Sequence, residues 1–250
     1  LIYLRCNDNQ LTSLDVRNGN NINFSTFNSS NNASLSCISV DDVTWSTSNW
    51  INIDSWASFS NNCTGFGCAD STAANYDPLA TIDDSSCTYQ MTYVPDNIFE
   101  NYLEANGMGD GIWGNDSVRT SAIDTVVSLY VGNQSISDLT GIEDFVSLVH
   151  LVCHNNQLTS LDLSNNILLE ELRCSGNQLT SLDVSQNIAL NYLYFRDNQL
   201  TNIDVSQNIA LSYLNCGSNQ LTTLDVSSNT TLTYLHCGAN QLTTLDVSAN

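Results

Sequence analysis

The stretch Leu169-Glu-Glu-Leu-Arg-Cys-Ser-Gly-Asn-Gln-Leu-Thr-Ser-Leu-Asp-Val-Ser-Gln-Asn-Ile-Ala189 is one of five consecutive near-copies, which start at Leu148, Leu169, Leu190, Leu211 and Leu232. Their common form is L-x-x-L-x-C-x-x-N-Q-L-T-x-L-D-V-S-x-N-x-x, with a period of 21 residues. A unit this short buries no core alone, so neighbours must stack into a solenoid. Within each block a shorter motif occurs twice. Leu148, Leu151, Cys153 and Asn156 are echoed by Leu158, Leu161, Leu163 and Asn166. Two similar halves imply two turns per coil. The first halves are expected to form a parallel sheet with strands about 4.8 Å apart. The second halves are expected to form a shorter sheet or extended turns on the opposite side.

The same block occurs at the other end, where Leu1, Leu4, Cys6, Asn9, Leu11, Leu14 and Val16 hold equivalent positions. The sequence therefore opens inside one array and stops at Asn250 inside another. An uncapped solenoid end exposes its apolar cross-section. With no initiator Met, signal peptide or transmembrane run, this predicts a segment of a longer protein.

The charge balance is lopsided: 26 acidic residues stand against 5 Arg and no Lys, a net charge of −21. Without a basic cluster, that argues against nucleic acid and anionic membrane as partners. Nine Cys fall into two groups. Cys6, Cys153, Cys174, Cys216 and Cys237 share one repeat position, where Phe195 substitutes once, and behave as small apolar core residues. Cys37, Cys63, Cys68 and Cys87 lie outside the repeats. Their even number in loop-rich sequence suggests two disulfides in a secreted or cell-surface protein. Cys68–Cys87 with Cys37–Cys63 is the favoured pairing, and two other connectivities remain open.

Four segments follow. Residues 1–63 read as the end of a first array and its cap, with Trp45, Trp50 and Trp56 covering the last coil. Residues 64–90 read as an acidic linker module closed by cystine, too small to hold a core without a crosslink. Residues 91–126 read as the N-terminal cap of a second array. There Asp96 caps a short helix bearing Ile98, Phe99, Tyr102 and Leu103 on one face, and Gly107 stops it. Residues 107–121 read as loop, and 127–250 as the second array.

The blocks resemble leucine-rich repeats of the nested 21-residue class found in secreted bacterial proteins. Val94-Pro-Asp-Asn-Ile-Phe-Glu-Asn-Tyr-Leu103 resembles the cap that precedes such arrays, and Ile136-Ser-Asp-Leu-Thr-Gly-Ile-Glu-Asp-Phe145 is similar to the first coil of internalin-like proteins. Gly67-Cys-Ala-Asp70, Asn75-Tyr-Asp-Pro78 and Asp83-Asp-Ser-Ser-Cys-Thr-Tyr89 are similar to short acidic cystine modules of Bacteroidetes surface proteins. The resemblance implies a β-rich solenoid with leucine-rich repeat arrays, a parallel β-sheet, one short helical N-cap and a small cystine linker module. It points toward adhesion.

Most repeat residues are consumed by the scaffold. The Asn column (Asn156, Asn177, Asn198, Asn219, Asn240) is expected to satisfy backbone groups of adjacent coils. The Asp column (Asp162, Asp183, Asp204, Asp225, Asp246) brings like charges together and needs an offset. Neighbouring Ser, Thr and N–H groups are one source, and bridging calcium is the other. In the linker, Asp70, Asp77, Asp83 and Asp84 are candidate calcium ligands, weighed against a solvated acidic surface; their spacing is not that of an EF-hand. No other cofactor is implied.

What the scaffold leaves over is the outward side of the main sheet. One column reads His150, Glu171, Tyr192, Tyr213, Tyr234, and the next Val152, Arg173, Tyr194, Asn215, His236. Exposed Tyr on a rigid sheet suits recognition of a protein or glycan ligand, although Tyr also simply suits strand surfaces. Cys153-His154 and His236-Cys237 are not catalytic pairs, because neighbours on a strand face opposite ways. With no phosphate loop, nucleophile elbow or zinc-spaced cluster, the expectation is a non-enzymatic binding segment without membrane insertion. A stalk or spacer, or an accessory region of a larger secreted enzyme, are the alternatives.

Overall fold

The computed structural model describes residues 1–63 and 65–250; Thr64, the expected start of the linker module, lies outside the described residues. The chain forms two compact units, Leu1–Tyr89 and Gln90–Asn250.

The first unit holds β1 (Tyr3–Arg5), β2 (Leu14–Asp15), β3 (Thr26–Asn28), β4 (Cys37–Ser39), α1 (Val43–Asn49), β5 (Ser58–Ser60), β6 (Phe66–Gly67) and β7 (Ile82–Asp83). β1 pairs with β3, and β2–β4–β5 form a second parallel sheet. Here the second halves of the coils do form a sheet, but with three strands it is larger than the two-stranded sheet of the first halves. Residues 37–60 continue the stack, since Ile38 lies opposite both Leu14 and Phe59. Trp50 fills the core beneath α1: its ring stacks on Phe27 at 4.2 Å and meets Phe24, Trp45 and Phe59 edge-on. Trp56, by contrast, is exposed.

Both disulfides of the favoured pairing are present: Cys37–Cys63 spans 5.7 Å between Cα atoms, and Cys68–Cys87 spans 4.7 Å. The two-residue ladder of β6 with β7 runs beside this crosslink, and Cys68 makes an isolated parallel bridge to Tyr76 inside the closed loop. Burial within that segment is confined to Cys68 and Ala73, so the crosslink has little core to assist it.

The second unit opens with β8 (Met91–Tyr93), then α2 (Asn97–Ala105), β9 (Ser117–Arg119) and α3 (Thr120–Ile123). Asp96 caps α2 as its sequence predicts, accepting from the N–H groups of Ile98 and Phe99 at 2.9 and 3.0 Å. Its second oxygen accepts from the Ser137 N–H and hydroxyl and the Asp138 N–H, which ties the cap to the first coil. Burial acts to raise the Asp96 pKa, but these donors outweigh it and hold the group ionised below its usual range. Phe99 and Leu103 are fully buried, while Ile98 is exposed. Residues 107–121 are not all loop. β9 pairs antiparallel with β8 and buries Val118, and α3 follows directly. Three residues with one apolar centre are too short to register as a strand.

Beyond the cap, β10 (Ser128–Tyr130), β11 (His150–Val152), β12 (Glu171–Arg173), β13 (Tyr192–Tyr194), β14 (Tyr213–Asn215) and β15 (Tyr234–His236) form one parallel sheet in chain order. Successive coils sit in register, Leu151 opposite Leu172 and Leu172 opposite Leu193. The inward Leu of each strand packs with Cys153, Cys174, Phe195 and Cys216 in a continuous core. Burial pushes the Cys153 and Cys216 thiols up to about 12 and Cys174 well above its ordinary value. They stay protonated at neutral pH and act as small apolar groups. In this unit the second halves are turns rather than strands.

The Asn column works as predicted. The Asn177 side-chain amide donates to the carbonyls of Cys153 and Cys174 at 3.1 and 3.0 Å, and its oxygen accepts from the Leu158 N–H at 3.1 Å. Asn198 and Asn219 repeat the pattern one coil on each time. A second column, Asn166, Asn187, Asn208 and Asn229, is fully buried. Its amides bridge coils, as Asn187 does to Leu163 and Asn166, but its side-chain oxygens have no partner.

One residue per coil adopts a left-handed conformation where the chain leaves the sheet: Asn155, Gly176, Asp197, Ser218 and Ala239. Only one is glycine. The turn is held by a backbone ladder, in which the Gly176 N–H donates to Arg196 and the Asp197 N–H to Gly217.

Candidate functional site

Alternation along each three-residue strand turns the middle Leu inward and its two neighbours outward. In register, these neighbours build the two expected columns on the second unit. The first is a stack. Tyr192 and Tyr213 lie with ring centroids 4.1 Å apart and planes 8° from parallel, and Tyr213 and Tyr234 with centroids 4.2 Å and planes 1°. The Arg173 guanidinium covers the free face of Tyr192 at 4.6 Å from its centroid. Glu171 forms an ion pair with that guanidinium. The series Arg173–Tyr192–Tyr213–Tyr234 is therefore one continuous column across four coils.

The stack changes what the tyrosines can offer. Both faces of Tyr192 and Tyr213 and one face of Tyr234 are occupied, leaving ring edges and hydroxyls for a ligand. Burial and the hydrogen bond with Tyr213 push the Tyr192 phenol up to about 12. At Tyr213, burial acts upward, yet hydrogen bonds with Tyr192, Asn215 and Tyr234 draw the phenol below its usual value.

In the second column, Val152, Arg173, Tyr194 and His236 are partly exposed, but Asn215 is not available. It is 5% exposed, and its side-chain oxygen accepts from the Gly217 N–H at 3.2 Å. With no side chain at Gly217, this amide folds back onto its own turn, and the expectation of an outward-facing Asn fails there. His150 sits beside Ser128, 3.3 Å from its hydroxyl.

The same parity continues one step further, to a third column that the sequence reading missed: His154, Ser175, Arg196 and the glycines Gly132, Gly217 and Gly238. The glycines make room for imidazoles. A Cβ on Gly132 would lie 2.6 Å from the His154 ring, and one on Gly217 would lie 2.5 Å from His236. Tyr130, exposed on β10, extends the second column at its other end. This face gathers all three His of the chain with Arg173 and Arg196. Its carboxylates are matched: Glu171 with Arg173, and Asp197 with Arg196 at 3.2 Å.

The Asp column lies elsewhere in the coil and is locally satisfied. Asp162, Asp183, Asp204, Asp225 and Asp246 each accept from the N–H of the Ser two residues on, at 2.8–2.9 Å. Those Ser groups lower all five pKa values, and repulsion from neighbouring carboxylates is a smaller opposing effect at Asp183, Asp204 and Asp246. In the linker, Asp77 and Asp83 close similar turns on Leu79 and Ser85. Asp84 takes the Ser86 N–H and the Ser36 hydroxyl, and Asp70 takes Thr72 and the Tyr89 hydroxyl. Among the described residues, no three His, Cys, Asp or Glu side chains are grouped to hold a metal ion. Nor is any described helix long and apolar enough to cross a membrane.

No family model matches the chain. Among curated proteins, internalin J of Listeria monocytogenes is 47% identical over 51 residues, which is 20% of this chain and 6% of that protein. Among solved structures, the functional domain of internalin J from Listeria monocytogenes, described as including a cysteine ladder, matches with a TM-score of 0.58 and 40% identity. The match covers 64% of this chain and 36% of that one. An internalin from the same organism, internalin F, matches with a TM-score of 0.55 and 25% identity, over 63% of this chain and 46% of that one. The chain thus spans less than half the length of each of these relatives. The chain is a β-rich leucine-rich repeat solenoid, and its array with the Cys column is similar to those of these internalins.

Proposed function

We propose that this chain is a non-catalytic binding segment of a secreted or cell-surface protein, and that it engages a protein ligand through the outward face of the main sheet. The observation that carries the proposal is the Arg173–Tyr192–Tyr213–Tyr234 stack. Phenols locked by their neighbours present edges and hydroxyls with little conformational entropy left to lose, which favours recognition. A glycan that docks on aromatic rings needs a free face, and in the stack both faces of Tyr192 and Tyr213 are occupied. Protein is therefore favoured over glycan. The participating residues are His150, Val152, Glu171, Arg173, Tyr192, Tyr194, Tyr213, Tyr234 and His236, with Arg196 and His154 added. Asn215, buried against its own turn, is left out.

The segment boundaries belong to the same proposal: residues 1–63 end a first array, 64–90 link, 91–126 cap, and 127–250 bind. Two disulfides support an extracytoplasmic setting. A spacer is the second reading, favoured by the same stack, since rings that cover one another from coil to coil also reinforce the solenoid. The two separate in a binding screen against immobilised extracellular proteins and glycans. Replacing Tyr192, Tyr194 and Tyr213 together by Ser should remove binding while the fold persists. A chain that binds nothing on either panel, or a triple variant that binds as the parent does, would leave the spacer.

A further inference from the structure

A second surface of the same unit is apolar, regular and uncovered. The position just after the second Asn column is Val146, Ile167, Ile188 and Ile209 on four consecutive coils. These side chains are 49, 56, 62 and 64% exposed, and Leu168 beside them is 50% exposed. Their spacing of about 4.8 Å per coil makes a straight ridge about 14 Å long. In a chain of net charge −21, no charged residue lies within two positions of Ile167, Ile188 or Ile209. The neighbours on one side are the exposed amides Asn165, Gln186 and Gln207, and on the other Leu168, Ala189 and Ala210. The ridge ends at the fifth coil, where Thr230 and Thr231 replace it and the Thr231 hydroxyl turns back to the Ile209 and Leu211 carbonyls. Isolated exposed aliphatics are ordinary, but four in register are not scattered.

The geometry points to a second copy of this chain as what covers the ridge, through a two-fold contact of ridge against ridge. β-branched side chains repeating at the coil spacing interdigitate with a partner of the same spacing, and a second array supplies it by construction. A two-fold contact asks only that one patch be complementary to itself. The ridge with Leu168 offers on the order of 500 Å² per copy, about 1,000 Å² across a pair, the lower limit for a specific interface. The dimer is therefore weak and concentration-dependent. It is opposed by the repulsion of two −21 chains and strengthened when salt screens them.

Sedimentation equilibrium of the 250-residue chain at low and high salt tests this. The mass should climb from 27.4 kDa toward twice that as concentration rises, and more readily at high salt. Replacing Ile188 and Ile209 by Thr, the residue nature places at coil five, should weaken the dimer at least about tenfold with an unchanged melting temperature. Ile188→Asp should abolish it. The Tyr192, Tyr194 and Tyr213 triple variant should dimerise like the parent, which separates this ridge from the ligand face. A chain that stays monomeric at every concentration and salt overturns the inference, as does a double-Thr variant that dimerises unchanged.

Discussion

Replacing Asn177 by Ala isolates what the Asn column contributes. Its amide donates to the Cys153 and Cys174 carbonyls, but each also receives a second Asn, since Asn156 donates to Cys153 and Asn198 to Cys174. Neither carbonyl is orphaned by the change. The Leu158 N–H is, because the Asn177 side-chain oxygen is its acceptor in a buried position. One buried donor left unmade costs about 1–3 kcal/mol, and losing two reinforcing bonds adds about 0.5–1 each, so the total is about 2–5 kcal/mol. For a unit of this size that lowers the melting temperature by roughly 4–20 °C. Asn187→Ala is the internal control. Asn187 also donates twice, but its own oxygen has no partner, and the carbonyls it reaches already accept the N–H groups of Asn166 and Leu169. Its loss orphans no donor and should cost at least about 1 kcal/mol less. Urea unfolding gives both values, and hydrogen exchange at the Leu158 amide reads the orphan directly. Equal costs at the two positions, or an unchanged Leu158 amide, would refute the reasoning.

Acid should destabilise the second array modestly. The five Asp of the column are held below the ordinary carboxylate range by Ser hydrogen bonds, so the folded state binds protons less readily than the unfolded one. Their contribution is present above about pH 4 and is lost as pH falls through the folded values, so the urea midpoint should drop below that pH. Replacing Ser185 and Ser206 by Pro, which removes those N–H donors, should flatten the slope. Reduction should act first on residues 65–89: loop closure over 19 residues is worth about 3 kcal/mol, and the segment has little core, so a protease should cut there before it cuts the second unit. In the native chain a thiol reagent should leave Cys153, Cys174 and Cys216 untouched and reach them only on unfolding; rapid labelling of Cys153 would contradict their burial. Finally, Ala239→Gly should stabilise by about 1 kcal/mol, because Ala239 occupies a left-handed turn that Gly176 fills without strain.

The architecture was legible because a period of 21 residues leaves few ways to bury Leu, and the Asn column follows from it. What escaped had short-range causes. β9 and α3 hid in residues 107–121 because one buried Val118 carries no periodicity. The fate of Asn215 depended on a glycine two residues away, whose N–H recaptures the amide. The columns of the main sheet were readable from alternation, but the stacking was not, since ring planes depend on side-chain torsions that sequence does not encode. The Ile ridge was hidden by its own regularity, because a residue repeated at every coil passes for scaffold until its exposure is known.

The central claim is that the outward sheet, not the solenoid as such, binds. The direct measurement compares two triple variants against the strongest protein ligand from the screen by equilibrium binding. One replaces Tyr192, Tyr194 and Tyr213 by Ser. The other replaces Gln178, Gln199 and Gln220, exposed at the turns, by Ala. The account predicts at least a hundredfold loss for the first, about 2.7 kcal/mol or more, and no change for the second. Equal affinities for both variants, with both folded, would contradict it.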